Sequence, residues 1–178
     1  HSRTGRPLED ALTRAYDSGY AKLGEGQTDP LGQVRFAKLS EKPVYTMVYA
    51  EGFVSCKQAI KTSDVSADIF LAPSAVLRGR TCTIGGTPLP HVKVRIPSRF
   101  VRAQDGKKYN RAASLSQPAD KWPPPFETES DDTGRFEIGG LPEGLVRITG
   151  EAPGYYGFSP YAVPVPDEEY VLVLAPTG

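Results

Sequence analysis

Histidines, clustered carboxylates and cysteines are the side chains from which chemistry would have to be built, and in this chain they are few or scattered. His1 and His91 are the only imidazoles in 178 residues. General acid–base catalysis and transition-metal binding need such groups to converge with a nucleophile or further ligands. No H-E-x-x-H, G-x-S-x-G, P-loop or Cys-x-x-Cys pattern supplies them. Glu127, Glu129, Asp131 and Asp132 form the densest oxygen cluster, of a kind that can bind calcium. A simpler reading is that Asp131 holds backbone N–H groups of its own turn, as Asp29 does in Asp29-Pro30-Leu31-Gly32, while Glu127 and Glu129 alternate onto the solvent face. Asp167-Glu168-Glu169 reads as an exposed hairpin tip. Cys56 and Cys82 read as two separate small thiols, with an interdomain bridge as the alternative. No catalytic, cofactor-binding or metal-binding residue is assigned.

Aromatic side chains carry the stronger binding signal. Tyr109, Trp122, Tyr156, Phe158 and Tyr161 are the candidate contacts for a ligand or partner, because flat apolar faces lose water at little cost. Tyr155 belongs to the same run. It is matched by Phe53 earlier in the chain, and so reads as a corner residue of the fold.

That match is part of an internal repeat, which organises everything else. Thr28-Asp29-Pro30-Leu31-Gly32-Gln33-Val34-Arg35-Phe36 aligns with 130–138 at a shift of 102. The alignment continues through Leu39/Leu141, Val44/Val146, Ala50/Ala152 and Gly52-Phe53/Gly154-Tyr155. Residues 5–13 align with 86–94 at a shift of 81, and Ile69-Phe70-Leu71-Ala72-Pro73 mirrors the end of 170–176 at a shift of 103. The second copy thus carries 21 extra residues (102 − 81) within 98–126. This basic, proline-ended segment reads as a long loop.

Alternation supplies the strands. Val92, Val94 and Ile96 face one way and Lys93 and Arg95 the other. Ala11, Thr13 and Ala15 are a weaker version of the same pattern. Further strands are expected at Val34 and Phe36, at 44–50, near Val54, at 67–71 and at 170–176, with turns at 130–134 and 139–144. The stretch 75–84 is a strand whose counterpart in the first copy would lie before His1. The sequence therefore predicts an all-β chain of two tandem, seven-strand-type, Ig-like or prealbumin-like β-sandwiches, 1–72 and 73–178, the first lacking its first strand. The edge left unpaired would invite pairing or aggregation.

Composition excludes several classes. Positive and negative charges balance at 21 each, which gives no electrostatic case for nucleic acid or an anionic membrane. No apolar run approaches a membrane span, and the first residues carry no signal-peptide pattern, so a targeting segment for export would lie outside this sequence.

The residues Val76…Gly79, Pro88-Leu89-x-x-Val92-x-Val94, Thr128…Asp131-x-x-Gly134-x-Phe136, Gly140-Leu141-Pro142-x-Gly144, Ala152-x-Gly154-Tyr155 and Val171-x-Val173 resemble a carboxypeptidase regulatory-like domain of the transthyretin-like fold. The resemblance covers the second copy and, more weakly, residues 5–73. The chain departs from it at His91-Val92 and Asp10-Ala11, where the family often has Gly-Ala, and at Leu39-Ser40-Glu41-Lys42. It implies a non-catalytic structural or interaction module in an extracellular or cell-envelope setting, spacing or docking the domains of a larger protein. Neighbouring domains, or a protein or glycan partner, would then be its contacts. The alternative is a carbohydrate- or peptide-binding module using the 98–126 loop and the 155–161 aromatic corner. Hydroxyisourate hydrolases and intradiol dioxygenases share the general sandwich, but this chain has neither the C-terminal Tyr-Arg-Gly-Ser of the first nor the His pair of the second. Some Gram-positive surface sandwiches carry isopeptide bonds. Asn110, the only asparagine, lies in the loop, so only a Lys–Asp bond remains as an option.

Overall fold

A computed structural model describes residues 1–19, 21–36, 44–61, 66–97, 102–103 and 126–178. Tyr109, Trp122 and most of the 98–126 loop lie outside these residues. The described residues are all-β and divide into two compact units, those within His1–Pro73 and those from Ser74 onward. Among them no helix is long and apolar enough to cross a membrane.

In the first unit, strands β1 (Leu12–Tyr16), β2 (Lys22–Gln27), β3 (Val44–Tyr49) and β4 (Cys56–Ile60) form an antiparallel sheet in the order β2-β1-β3-β4. The weak alternation of Ala11, Thr13 and Ala15 does mark a buried face. Asp17 turns β1 into β2 by accepting the amides of Gly19 and Ala21 at 2.8 and 2.9 Å. Ala11, Val48, Ala50 and Leu71 form one buried cluster. Tyr16 and Met47 are buried on the opposite face, which the alternation alone would leave to solvent.

Two expected strands of this unit are not formed. Val34 and Phe36 are half-buried and outside any strand, lying over Gly26 and Gly24. Residues 66–70 are also irregular, and only Leu71 and Pro73 make bridges, to Ser2 and Phe53. A strand is a paired structure, and alternation without a neighbour to bond is not enough. Among the described residues this unit has four strands, where the sequence predicts a seven-strand type lacking its first.

The second unit contains β5 (Ala75–Thr83), β6 (Lys93–Arg95), β7 (Arg102–Ala103), β8 (Glu127–Glu129), β9 (Arg135–Leu141), β10 (Gly144–Val146), β11 (Thr149–Ala152), β12 (Tyr155–Phe158), β13 (Val163–Val165) and β14 (Asp167–Pro176). Seven of them make a sheet in the order β8-β6-β11-β12-β14-β5-β9, and three make another, β13-β10-β7. β5 pairs in parallel with β14 and antiparallel with β9. Leu77, Val92, Val94, Phe136, Ile138, Leu141, Val146, Ile148, Leu172 and Leu174 belong to one core. Each such side chain contributes about 1.5–3 kcal/mol on burial. Two turn expectations shift. Gly139 and Gly140 belong to β9, leaving Pro142-Glu143 as the link to β10, and Asp167–Glu169 open β14 rather than tipping a hairpin. Gly139 and Gly140, like Glu168 and Glu169, fall where the pairing registers with β5 shift, so each strand runs on through an irregularity where the sequence suggests a turn.

The registers of the two units coincide under the sequence shifts. Leu12, Thr13 and Arg14 pair with Gln27, Gly26 and Glu25 on one side and with Tyr49, Val48 and Met47 on the other. Lys93, Val94 and Arg95 pair with Glu129, Thr128 and Glu127, and with Glu151, Gly150 and Thr149.

Candidate functional site

The acidic pair Asp131-Asp132 sits in a turn whose hydrogen bonds employ Asp131 without a ligand. Asp131 Oδ1 accepts the amides of Thr133 and Arg135, both at 2.8 Å, and the Thr133 hydroxyl at 2.7 Å. Asp29 Oδ1 likewise accepts the amides of Leu31 and Gln33, both at 2.9 Å. Both turns use a glycine at positive φ, Gly32 at 71° and Gly134 at 79°. The Thr133 hydroxyl, followed by the Arg135 amide, holds the Asp131 carboxyl below its ordinary range. Just beneath, the buried Ser130 hydroxyl donates to Leu89 O at 3.2 Å and accepts from Val92 N at 2.9 Å. Thr28 does the same with Leu8 O and Ala11 N, at 2.6 and 2.9 Å.

His91 is the one histidine placed near carboxylates of the second unit. Its Nδ1 lies 3.1 Å from Glu129 Oε1 and its Nε2 lies 3.2 Å from Asp132 Oδ1. Both contacts are donor contacts only for an imidazolium. All three side chains are well exposed, so water competes for each of them and the attraction is small. Among the described residues no group of three or more His, Cys, Asp or Glu is arranged to hold a metal ion. The two thiols are free; Cys82 is buried, Cys56 is half-buried, and burial pushes the Cys56 thiol up.

A polar array that the sequence does not advertise crosses the outer face of β9, β5 and β14. Arg78 donates through Nε to Glu137 at 2.7 Å and through Nη1 to both oxygens of Glu168 at 2.8 and 2.9 Å. The hydrogen bonds to Glu168 and then Glu137 raise the guanidinium further above its already high value. Arg78, Arg80, Arg135, Glu129, Glu137 and Glu168 are among the residues lining an open groove of about 770 Å3. Arg80 and Arg135 are direct cross-strand partners, a like-charge pairing that carries a small penalty. The groove is thus a mixed-charge surface lined from β5, β8, β9 and β14.

Of the aromatic candidates, the structure brings Tyr156 and Phe158 together. They alternate onto the outer face of β12 and are 46% and 59% exposed, with the buried Gly157 between them. Tyr161 is 82% exposed and lies past the end of β12, on the way to β13. Tyr155 turns inward against the core, as its match to Phe53 predicts. Tyr109 and Trp122 lie outside the described residues. The sequence reading missed Arg78, Glu137, Glu168 and Thr81. Thr81 is fully buried, with its hydroxyl 2.5 Å from Leu89 O and 3.0 Å from Gly134 O. Its place on the same inward parity as Ala75, Leu77 and Gly79 was the available signal.

No family model and no curated protein matches the chain. Solved structures with some likeness include GBS52, the minor pilin of Streptococcus agalactiae, at 14% identity and a TM-score of 0.41, covering 97% of this chain and 85% of that one. The shaft pilin SpaA of Lactobacillus rhamnosus GG gives 12% identity and a TM-score of 0.40, covering 97% and 87%. A streptococcal ancillary pilin gives 13% identity and a TM-score of 0.41, covering 99% of this chain and 60% of that one. At these scores the likeness assigns neither topology nor activity to this chain.

Proposed function

We propose that the chain is a non-catalytic structural module, two β units that space or dock the domains of a larger exported or envelope protein. The observation that carries this reading is the employment of its polar side chains. Asp29 and Asp131 each hold two amides of their own turn. Thr28, Thr81 and Ser130 bond backbone groups of neighbouring segments. Arg78 ties β5 to β9 and β14. Groups that would otherwise form a reactive site here maintain backbone geometry, which is what a load-transmitting or spacing module requires.

The test is a glycan array and an elemental metal analysis on the purified protein and its Trp122→Ala and Tyr156→Ala variants. Neither a stoichiometric metal nor a retained ligand is expected. Binding that disappears in Trp122→Ala would replace this reading with the carbohydrate- or peptide-binding alternative, and substoichiometric, variant-independent retention would leave the structural reading standing.

A further inference from the structure

In the second unit, Arg80 and Arg135 make a contact that works against the fold. Thr81 N donates to Gly134 O at 2.7 Å, so Thr81 and Gly134 face each other as a hydrogen-bonded pair. The neighbouring pair, Arg80 and Arg135, is then of the alternate kind. In such pairs the Cα atoms approach to about 4.5 Å and the side chains stand closest. The backbone of Arg135 agrees, because its polar groups turn away from β5. Its N donates to Asp131 Oδ1 and its O accepts Asp131 N, both at 2.8 Å. Alternation sets both guanidiniums on the outer face. Arg80 and Arg135 are exposed, while Thr81, Gly134 and Phe136 beside them are buried.

Like charges directly opposite each other repel, and the nearby carboxylates are engaged elsewhere. Glu137 and Glu168 hold Arg78 at 2.7 and 2.8 Å. Asp131 Oδ1 holds the amides of its own turn, and the charge of Arg135 is the least of the causes that lower its carboxyl. Glu129 faces His91 at 3.1 Å. Of the carboxylates lining the groove that leaves Glu169, one charge against two. On its other side Arg80 is opposite Val171, which is apolar and brings no counter-charge. Both guanidiniums line the same open groove of about 770 Å3, a volume within the range of small-ligand sites.

We propose that Arg80 and Arg135 form a clamp for a tetrahedral dianion, a phosphate or sulfate group seated in the groove between them. Each guanidinium is a planar fork of donors that matches two oxygens of such a group. A dianion supplies both charges the pair lacks and turns a repulsive contact into a bridged one, whereas a monocarboxylate supplies one. The paired strands fix where both forks start from before the ligand arrives, which lowers the cost of ordering them. Arg78, tied to its two carboxylates, is a wall of the site rather than a ligand. Because the clamp is open to water, its affinity is on the order of 1 mM, and the anion exchanges instead of surviving purification. The clamp goes beyond the spacer reading, which needs no ligand and stands or falls separately.

The probe is inorganic phosphate added to the whole chain at neutral pH, with sodium chloride at matched ionic strength as the control. The readout is the Nε–H resonances of the arginines. Those of Arg80 and Arg135 should shift saturably with phosphate and not with chloride, while that of Arg78, held by Glu137, stays in place. Arg80→Gln and Arg135→Gln should each weaken binding at least about tenfold. Each also removes a like-charge contact, so without phosphate both should melt no lower than wild type. A sugar phosphate used in place of inorganic phosphate separates a phosphate ester from the free anion as the source, and the tighter of the two names it. Shifts that rise linearly with phosphate, that chloride or acetate reproduces, or that persist unchanged in Arg80→Gln overturn the proposal.

Discussion

Asp10 and His91 share a backbone state that side chains seldom adopt. φ is 57° at Asp10 and 54° at His91, and their amides donate to Thr28 O and Ser130 O at 3.0 and 3.1 Å. They are the non-glycine residues of positive φ among the described residues, and they stand 81 positions apart, each followed by a buried residue that leads into a strand, Ala11 into β1 and Val92 into β6. Short polar side chains tolerate this conformation better than branched ones. His91→Val is expected to cost about 1–2 kcal/mol of stability, whereas His91→Gly should stay within about 0.5 kcal/mol of wild type. Denaturant unfolding of the two variants decides it, and equal losses would show that the imidazole contacts, not the backbone, matter at this position.

The hydroxyl of Ser130 serves the amide of Val92 in a dry setting. Ser130→Ala leaves that donor unsatisfied and is expected to destabilise the second unit by about 1–3 kcal/mol. Ser130→Thr should be tolerated, since Thr28 plays the part with Ala11 and Leu8 in the first unit. A melting comparison in which the threonine variant falls as far as the alanine variant would contradict this.

Two glycines of the second unit separate space from conformation. A Cβ on Gly150 would lie 2.8 Å from Leu172 Cδ2 and 3.1 Å from Val92 Cγ1, whereas one on Gly139 would meet nothing within 4 Å. Gly150→Ala should cost about 1–3 kcal/mol by overpacking, and Gly139→Ala should be neutral or gain about 0.4–1 kcal/mol. Equal behaviour of the two in equilibrium unfolding would mean that the core beside β11 relaxes freely.

Acid sensitivity is tied to Asp131. Its folded carboxyl titrates below the ordinary 3.8, chiefly because of the Thr133 hydroxyl. The ionised form therefore stabilises the fold above that ordinary value, and the contribution is lost as pH falls through the lower, folded one. Calorimetry from about pH 5 to about pH 2 should show the melting temperatures of wild type and Asp131→Asn converging as the pH drops. A gap that stays constant across that range would remove Asp131 as the titrating group.

Alternation and turn chemistry are local, and where they decided the structure they were readable. Val92, Val94 and Ile96 turn inward, and Asp29 and Asp131 hold their turns as their neighbours predict. Val34 and Phe36 have the same local pattern, yet without a partner strand it produces no ladder. Tyr16 and Met47 are buried on a face that period-two counting hands to solvent, because burial depends on what covers a face and not only on its composition. The Arg78–Glu168 contact joins residues 90 apart. Nothing nearby in sequence announces it, since it exists only once β5 and β14 lie side by side. The aromatic pair Tyr156 and Phe158 was legible as exposed for the opposite reason, as the glycine between them marks the inward position.

The parallel pairing of β5 with β14 has a mechanical consequence. Tension applied at Ala75 and Pro176 grips the two strands at opposite ends of one shared ladder. Its hydrogen bonds are then loaded sideways, in shear, and must break together instead of peeling open one at a time from an end. Arg78, anchored to Glu168 on one side and Glu137 on the other, adds a cross-tie near the pulling point. Stretched between these two points, the second unit loads this ladder in shear along its whole length.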